Sequence, residues 1–259
     1  MRIQFTDYLK DSRIVSTSTF RQHLTSVSPD QVCDLLLCNI DVVLLAAFNG
    51  HTEVIQCVLD LLTPEQVHSI LKIRDERGRP VLYCTVANGH TETVLCLLHT
   101  VDREKRYDML MNSRNKYGLT AFHLTAYDGH TETMVAILDS VIPEQKYDLL
   151  TVLDGNGAAA ISYAAFKGHL KTMKAMFDSV TPEQKYSLLT LQDSDGNTAI
   201  SNAAVSGHAD IVLYLLNYVD SDLAYNILKV RNKQIKSALQ LAALTKHVEI
   251  LKAILDSIT

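Results

Sequence analysis

The residues of this 259-residue sequence with the most chemistry to offer are its ten histidines and five cysteines. Six of the histidines, His51, His90, His130, His169, His208 and His247, recur at intervals of 39, 40, 39, 39 and 39 residues. A fixed interval of that length marks one repeated structural position. Equivalent positions on stacked helices lie roughly 8–10 Å apart, whereas each ligand of a shared zinc must come within about 2.1 Å. Successive copies therefore cannot share a metal, and each imidazole is expected to hydrogen-bond backbone at a turn between helices. His23, His68, His99 and His123 have no HExxH or similar spacing.

Cys33, Cys38, Cys57, Cys84 and Cys96 are odd in number, confined to the first 96 residues, and lack CxxC pairing. That pattern fits a reducing, cytoplasmic compartment better than a disulfide framework. Cys57 and Cys96 stand six residues after a repeat histidine, where other copies have Ala136, Ala175, Tyr214 and Ala253. A thiol in such a slot acts as a small hydrophobe. There is no GxSxG, no Walker loop and no carboxylate pair, and Gly155-Asn156-Gly157 is too short to cradle a phosphate. No catalytic residue, cofactor or metal is expected. A net charge of −5 with both signs interspersed gives no reason to expect nucleic acid or an anionic membrane as partner. No apolar run reaches the 18 residues of a membrane span, and the opening MRIQFTDYLKDSR has no secretory core.

The histidine spacing points to the elements that must carry it. Each of the first five repeat histidines follows a glycine, giving Gly50-His51 through Gly207-His208, and Lys246-His247 continues the series. Two further markers keep step: TPEQVHSIL, IPEQKYDLL and TPEQKYSLL from Thr63, Ile142 and Thr181, and GLTAFHLTAYDGH, GAAAISYAAFKGH and GNTAISNAAVSGH from Gly118, Gly157 and Gly196. Similar text at a fixed period means one supersecondary unit stacked several times. Leu153 to Thr190 shows the plan. Asp154 to Gly157 is turn chemistry for a projecting finger, Ala160 to Phe166 is a short Ala-rich helix, Gly168-His169 reverses the chain, and Leu170 to Val180 has helical apolar spacing. Thr181-Pro182-Glu183-Gln184 then reads as a capped helix start, predicting a third short helix. All five prolines and ten glycines fall at such punctuation points. Tyr107, Tyr147, Tyr186 and Tyr225 recur in that third helix, either as a packed ladder or as an aromatic strip open to a ligand.

These residues resemble the ankyrin repeat, G-x-T-P-L-H-x-A-A-x-x-G-H, over nearly the whole chain from about Ser26. The departures are an extra helix of about six residues per repeat, since the family period is 33, and two replaced glycines in the last repeat, Ile235 and Lys246. The distance from Pro29 to Gly50 is four residues shorter than its equivalents, so the first finger is expected not to form. The resemblance implies an all-α dominated ankyrin-repeat solenoid with short hairpin fingers and a third short helix per repeat. Residues 1–25 would form an N-terminal cap segment and residues 26–259 an array of about six repeats.

The same resemblance implies a non-enzymatic protein-protein interaction scaffold that binds its partner through a concave groove and finger tips. On the first helices the corresponding positions are Phe48, Asn88, Tyr127, Asp128, Phe166 and Lys167. In the fingers they are Arg77, Arg79, Arg114, Lys116, Tyr117, Leu119, Asn156, Asp195 and Asn197. Phe48, Tyr127 and Phe166 either line an apolar stripe or pack against the next repeat. The segment from Arg114 to Tyr117 combines cations with an aromatic, a mixture enriched at hot spots, in a finger one residue longer than its neighbour. Ile250, Leu251, Ile254 and Leu255 give the C-terminal repeat no polar capping face, which admits end-to-end self-association. The alternative is a regulatory or targeting ankyrin domain of a larger multidomain protein, or a secreted effector of the kind intracellular bacteria deliver to a host cytosol, with catalysis elsewhere.

Overall fold

The computed structural model describes residues 28–38, 40–219 and 221–257; the expected cap segment, 1–25, lies outside them. The chain divides into two compact bodies. The N-terminal body runs to Ala121 and includes Asp139–Val141, and the C-terminal body comprises Phe122–Leu138 and the chain from Ile142 on.

The N-terminal body contains α1 (Pro29–Cys38), α2 (Ile40–Phe48), α3 (Thr52–Leu59), α4 (Pro64–Leu71), α5 (Val81–Val86), α6 (Thr91–His99) and α7 (Arg103–Asn112). Along the chain follow α8 (Ala121–Asp128), α9 (Thr131–Ser140), α10 (Pro143–Thr151), α11 (Ala160–Lys167), α12 (Leu170–Asp178), α13 (Pro182–Thr190), α14 (Ala199–Ser206), α15 (Ala209–Asn217), α16 (Ser221–Lys229), α17 (Ala238–Leu244) and α18 (Val248–Asp256). The order third helix, first helix, second helix repeats throughout. One residue separates α1 from α2, which leaves no room for a finger and meets the expectation from the shortened spacing.

Helices of one kind stack on their own kind within each body. First helices pair α2 with α5, α11 with α14 and α14 with α17; second helices pair α3 with α6 and α15 with α18; third helices pair α1 with α4 and α10 with α13. Alanines on the first helices, Ala46, Ala47, Ala164, Ala165, Ala203, Ala204 and Ala242, are buried and let these columns approach closely. Larger side chains from the second helices fill the rest of the core, among them Leu97, Leu98, Met173, Phe177, Ile211 and Leu215.

The third helix is ordered structure with its own capping. Thr63 and Thr181 each accept the backbone N–H of the glutamine three residues on, and Gln66 and Gln184 accept the cap N–H in return, with proline at the first turn. Ile142 takes the cap position of α10 and offers no side-chain oxygen, and the Oε1 of Gln145 is buried without a hydrogen-bond partner. These helices bury Leu149, Leu150, Leu188 and Leu189. The packed tyrosine ladder is not what forms at Tyr186 and Tyr225. Both rings are exposed, because an apolar pair, Leu188-Leu189 beside Tyr186 and Ile227-Leu228 beside Tyr225, occupies the one face such a short helix turns inward, and Lys229 Nζ sits 4.8 Å over the Tyr225 ring.

Candidate protein-binding surface

The repeat histidine is a tie between neighbouring repeats rather than a brace within its own turn. Nε2 of His90 donates to the Phe48 carbonyl at 3.0 Å, that of His169 to Tyr127 at 3.0 Å and that of His208 to Phe166 at 3.0 Å, each 42 residues back. The ring therefore lies over the preceding repeat's Gly-His glycine. A Cβ on Gly129 would stand 2.6 Å from His169 Nδ1, and one on Gly168 would stand 2.5 Å from His208 Cε1. Gly168 also closes α11 at φ +82, a left-handed conformation that disfavours any other residue. Glycine is required twice at this position, by φ and by the neighbour. Paired threonines reinforce the tie, Thr52 with Thr93 at 2.6 Å and Thr131 with Thr172 at 2.7 Å.

Each finger is built on one Asx residue whose Oδ1 accepts two backbone N–H groups. Asp75 accepts from Arg77 and Arg79, Asn115 from Tyr117 and Leu119, Asp154 from Asn156 and Ala158, Asp193 from Asp195 and Asn197, and Asn232 from Gln234 and Lys236. The fingers are tight loops; among the described residues isolated β-bridges close two of them, Arg74 with Pro80 and Arg114 with Thr120. Of the two glycines at 155 and 157, Gly157 alone takes positive φ. Fingers also join each other: Ser194 N–H donates to the Asn156 carbonyl at 2.9 Å and Lys233 N–H to that of Asp195 at 2.7 Å.

On the first-helix side of the N-terminal body, Phe48 is exposed, and the neighbouring Asn88 donates Nδ2–H to the Phe48 carbonyl at 2.7 Å. On the C-terminal body Tyr127 is 37% and Phe166 48% exposed. Lys167 Nζ stands 4.2 Å over the Tyr127 ring, whose edge meets Tyr163 at a centroid distance of 5.8 Å. Burial pushes the Asp128 carboxyl up, against the opposing pull of His130, His169 and Lys167. The two aromatic rings thus stay half-solvated while the backbone beneath them is fully engaged.

Arg77, Lys116, Tyr117, Asn156 and Asp195 are exposed at finger tips, with Tyr117 62% accessible and Lys116 Nζ 5.0 Å from its ring centroid. Four other finger residues are half-buried and used by the fold. Arg79 pairs with Asp75 at 2.5 Å, Arg114 Nε–H donates to Met111 at 2.8 Å, Leu119 closes the Asn115 loop, and Asn197 accepts from Asn232 Nδ2 at 2.9 Å. Their chemistry is directed into the array because the finger is too short to project every side chain it carries.

Three arginines outside the expected site residues join neighbouring elements. The Arg74 guanidinium donates to the carbonyls of Gly78, Arg114 and Asn112. Arg103 donates to Val141, and Arg106 to Leu98 and Ser140, so two cations satisfy the carbonyls at helix C-termini. The register could have signalled this: Arg106 and Lys185 share a repeat position, and Lys185 Nζ donates to the Tyr218 hydroxyl at 2.6 Å, where Tyr218 corresponds to Ser140. His123, which has no HExxH or similar spacing, is buried and its Nε2 faces the carbonyls of Val152 and Ala158, both at 3.1 Å. Among the described residues no three metal-binding side chains cluster, and no helix is long and apolar enough to cross a membrane.

The stacked helix pairs, Gly-His ties and Asx-built fingers define a class that comparison with known proteins identifies. A family model described as ankyrin repeats (3 copies) matches residues 183–259. The crystal structure of EF0377, an ankyrin repeat protein, matches with a TM-score of 0.61 at 21% identity, covering 82% of this chain and 96% of that chain. No match was found among curated proteins. The protein carries ankyrin repeats and has the ankyrin-repeat fold, which as a class serves protein interaction.

Proposed function

We propose that the protein is a non-enzymatic scaffold that holds a protein segment against the first-helix side of its repeats, with finger tips contributing at the rim. The observation that carries this reading is the half-solvated row on the C-terminal body. Tyr127 and Phe166 present large apolar rings beside Lys167, while their own carbonyls are already engaged by His169 and His208. Partly exposed aromatics flanked by a cation form the kind of patch at which interface energy concentrates. On the N-terminal body, Phe48 with Asn88 and the Lys116-Tyr117 tip would make separate contacts. The work belongs in a reducing compartment such as the cytoplasm, a reading supported by the free thiols of Cys33, Cys84 and Cys96.

The test compares affinity capture by the wild type with capture by Tyr127→Ala and Phe166→Ala, with thermal unfolding measured on each. The expected result is at least a tenfold loss of affinity for the captured protein with a Tm change of a few degrees at most. A falling Tm with unchanged affinity would assign the two rings to packing and end this reading.

A further inference from the structure

The last repeat differs from those before it at the two positions where each repeat receives the next. In the C-terminal body those positions are the finger glycine and the Gly-His glycine. A Cβ on Gly157 would stand 2.8 Å from Ser194 Oγ and 3.1 Å from Ser194 N; one on Gly196 would stand 3.1 Å from Asn232 Cα. A Cβ on Gly207 would stand 2.6 Å from His247 Cε1. Both glycines are therefore sockets, one for the backbone of the next finger and one for the next histidine ring. In the last repeat they are Ile235 and Lys246. Each keeps the glycine backbone conformation, at φ +62, and they are the two non-glycine residues with positive φ among the described residues. For a β-branched isoleucine that conformation is an outlier, and no burial compensates, since Ile235 is 67% exposed. Strain is thus held at both sockets of one face, with solvated side chains filling them.

We infer that Ile235 and Lys246 are a stop: their side chains refuse the finger and the histidine of a further repeat of this type, from this chain or a second copy. The Lys246 Cβ would meet an incoming ring, and that histidine could relieve the clash only by turning away from its carbonyl. The face is apolar around the stop, with Leu244, Val248 and Leu255 exposed. Apolarity alone would favour heterologous, open-ended growth, and steric refusal at the two sockets opposes it. The end-to-end self-association expected from the apolar pattern of the last helix is disfavoured on this ground.

The experiment appends a copy of residues 182–219, a third helix, finger, first helix and second helix, directly after Thr259 of the full chain. It does so in the wild type and in the Ile235→Gly, Lys246→Gly double variant. Hydrogen exchange of the appended amides, followed by mass spectrometry, is the readout. The expected result is exchange at the free-chain rate in the wild-type background and at least a hundredfold slower in the double variant. Equal protection in both backgrounds would overturn the stop, because a repeat would then stack despite both side chains. Free-chain exchange in both would overturn it as well, by showing that other features of the face exclude the repeat.

Discussion

Gly168 shows how much one residue carries here. Its φ of +82 closes α11, and its missing side chain leaves the space that His208 fills on its way to the Phe166 carbonyl. Gly168→Ala introduces a left-handed alanine and displaces the ring from its hydrogen bond. The two effects together are expected to cost about 2–3 kcal/mol, read as a lowered urea midpoint with an unchanged m-value. A second variant, His208→Ala, removes the ring and should make Gly168→Ala about half as costly, since the strain at φ +82 then remains alone. The buried thiols belong to the same scale. Burial pushes the Cys84 thiol up to about 11 and raises Cys33 and the half-buried Cys96 in the same direction, which lowers the thiolate fraction of each.

At the scale of the element, each finger is held by one carboxylate or amide, and the carboxylate of Asp75 makes its finger sensitive to acid. Burial would raise Asp75, but the Arg79 N–H, the Arg79 guanidinium and the Arg77 N–H together hold its carboxyl below the ordinary value. A carboxyl depressed in the folded state contributes stability that is present above its unfolded pKa, about 3.9, and is lost as pH falls through its folded value. Stability should therefore drop below about pH 4, and Asp75→Asn should remove that part of the drop while costing stability at neutral pH. The pair is partly exposed, so the effect is modest; a pH series of urea midpoints on both proteins checks it. An unchanged acid limb in Asp75→Asn would mean that the finger does not depend on this charge.

The third helix shows how far local sequence reaches. Thr181, Pro182 and Gln184 announce its start, and the capping box forms there as the spacing implies. The tyrosines were ambiguous because periodicity marks a face without saying whether a neighbour covers it. Apolar pairs two and three residues on, Leu188-Leu189 and Ile227-Leu228, took the buried face, and Tyr186 and Tyr225 were left outside. Finger residues failed differently. Arg79 and Asn197 look like surface residues in a polar turn, yet both are drawn into bonds with residues close in space, one of them on the next finger.

For the whole molecule, stability in a repeat array is nearly a sum of repeat and nearest-neighbour terms. A lesion at one junction should consequently loosen its own neighbourhood first. In Gly168→Ala, amides of α11, α12, α14 and α15 are expected to exchange faster by tenfold or more while those of α3 and α6 keep their wild-type rates, as hydrogen exchange with mass spectrometry would read. Uniform acceleration across all of these helices would instead make the chain a single cooperative unit. What the sequence determined by itself was the repeat, the order of its helices, its Gly-His turns and the missing first finger, because these follow from short-range rules of capping, φ and period. What only the tertiary structure decided was where each side chain points between repeats. His208 reaches across to a carbonyl 42 residues away, Arg106 ties a helix end to its neighbour, and Ile235 and Lys246 stand in sockets that are glycine elsewhere. Those facts depend on contacts between residues some forty apart, and a period states only that such residues are equivalent, not what one does to the next.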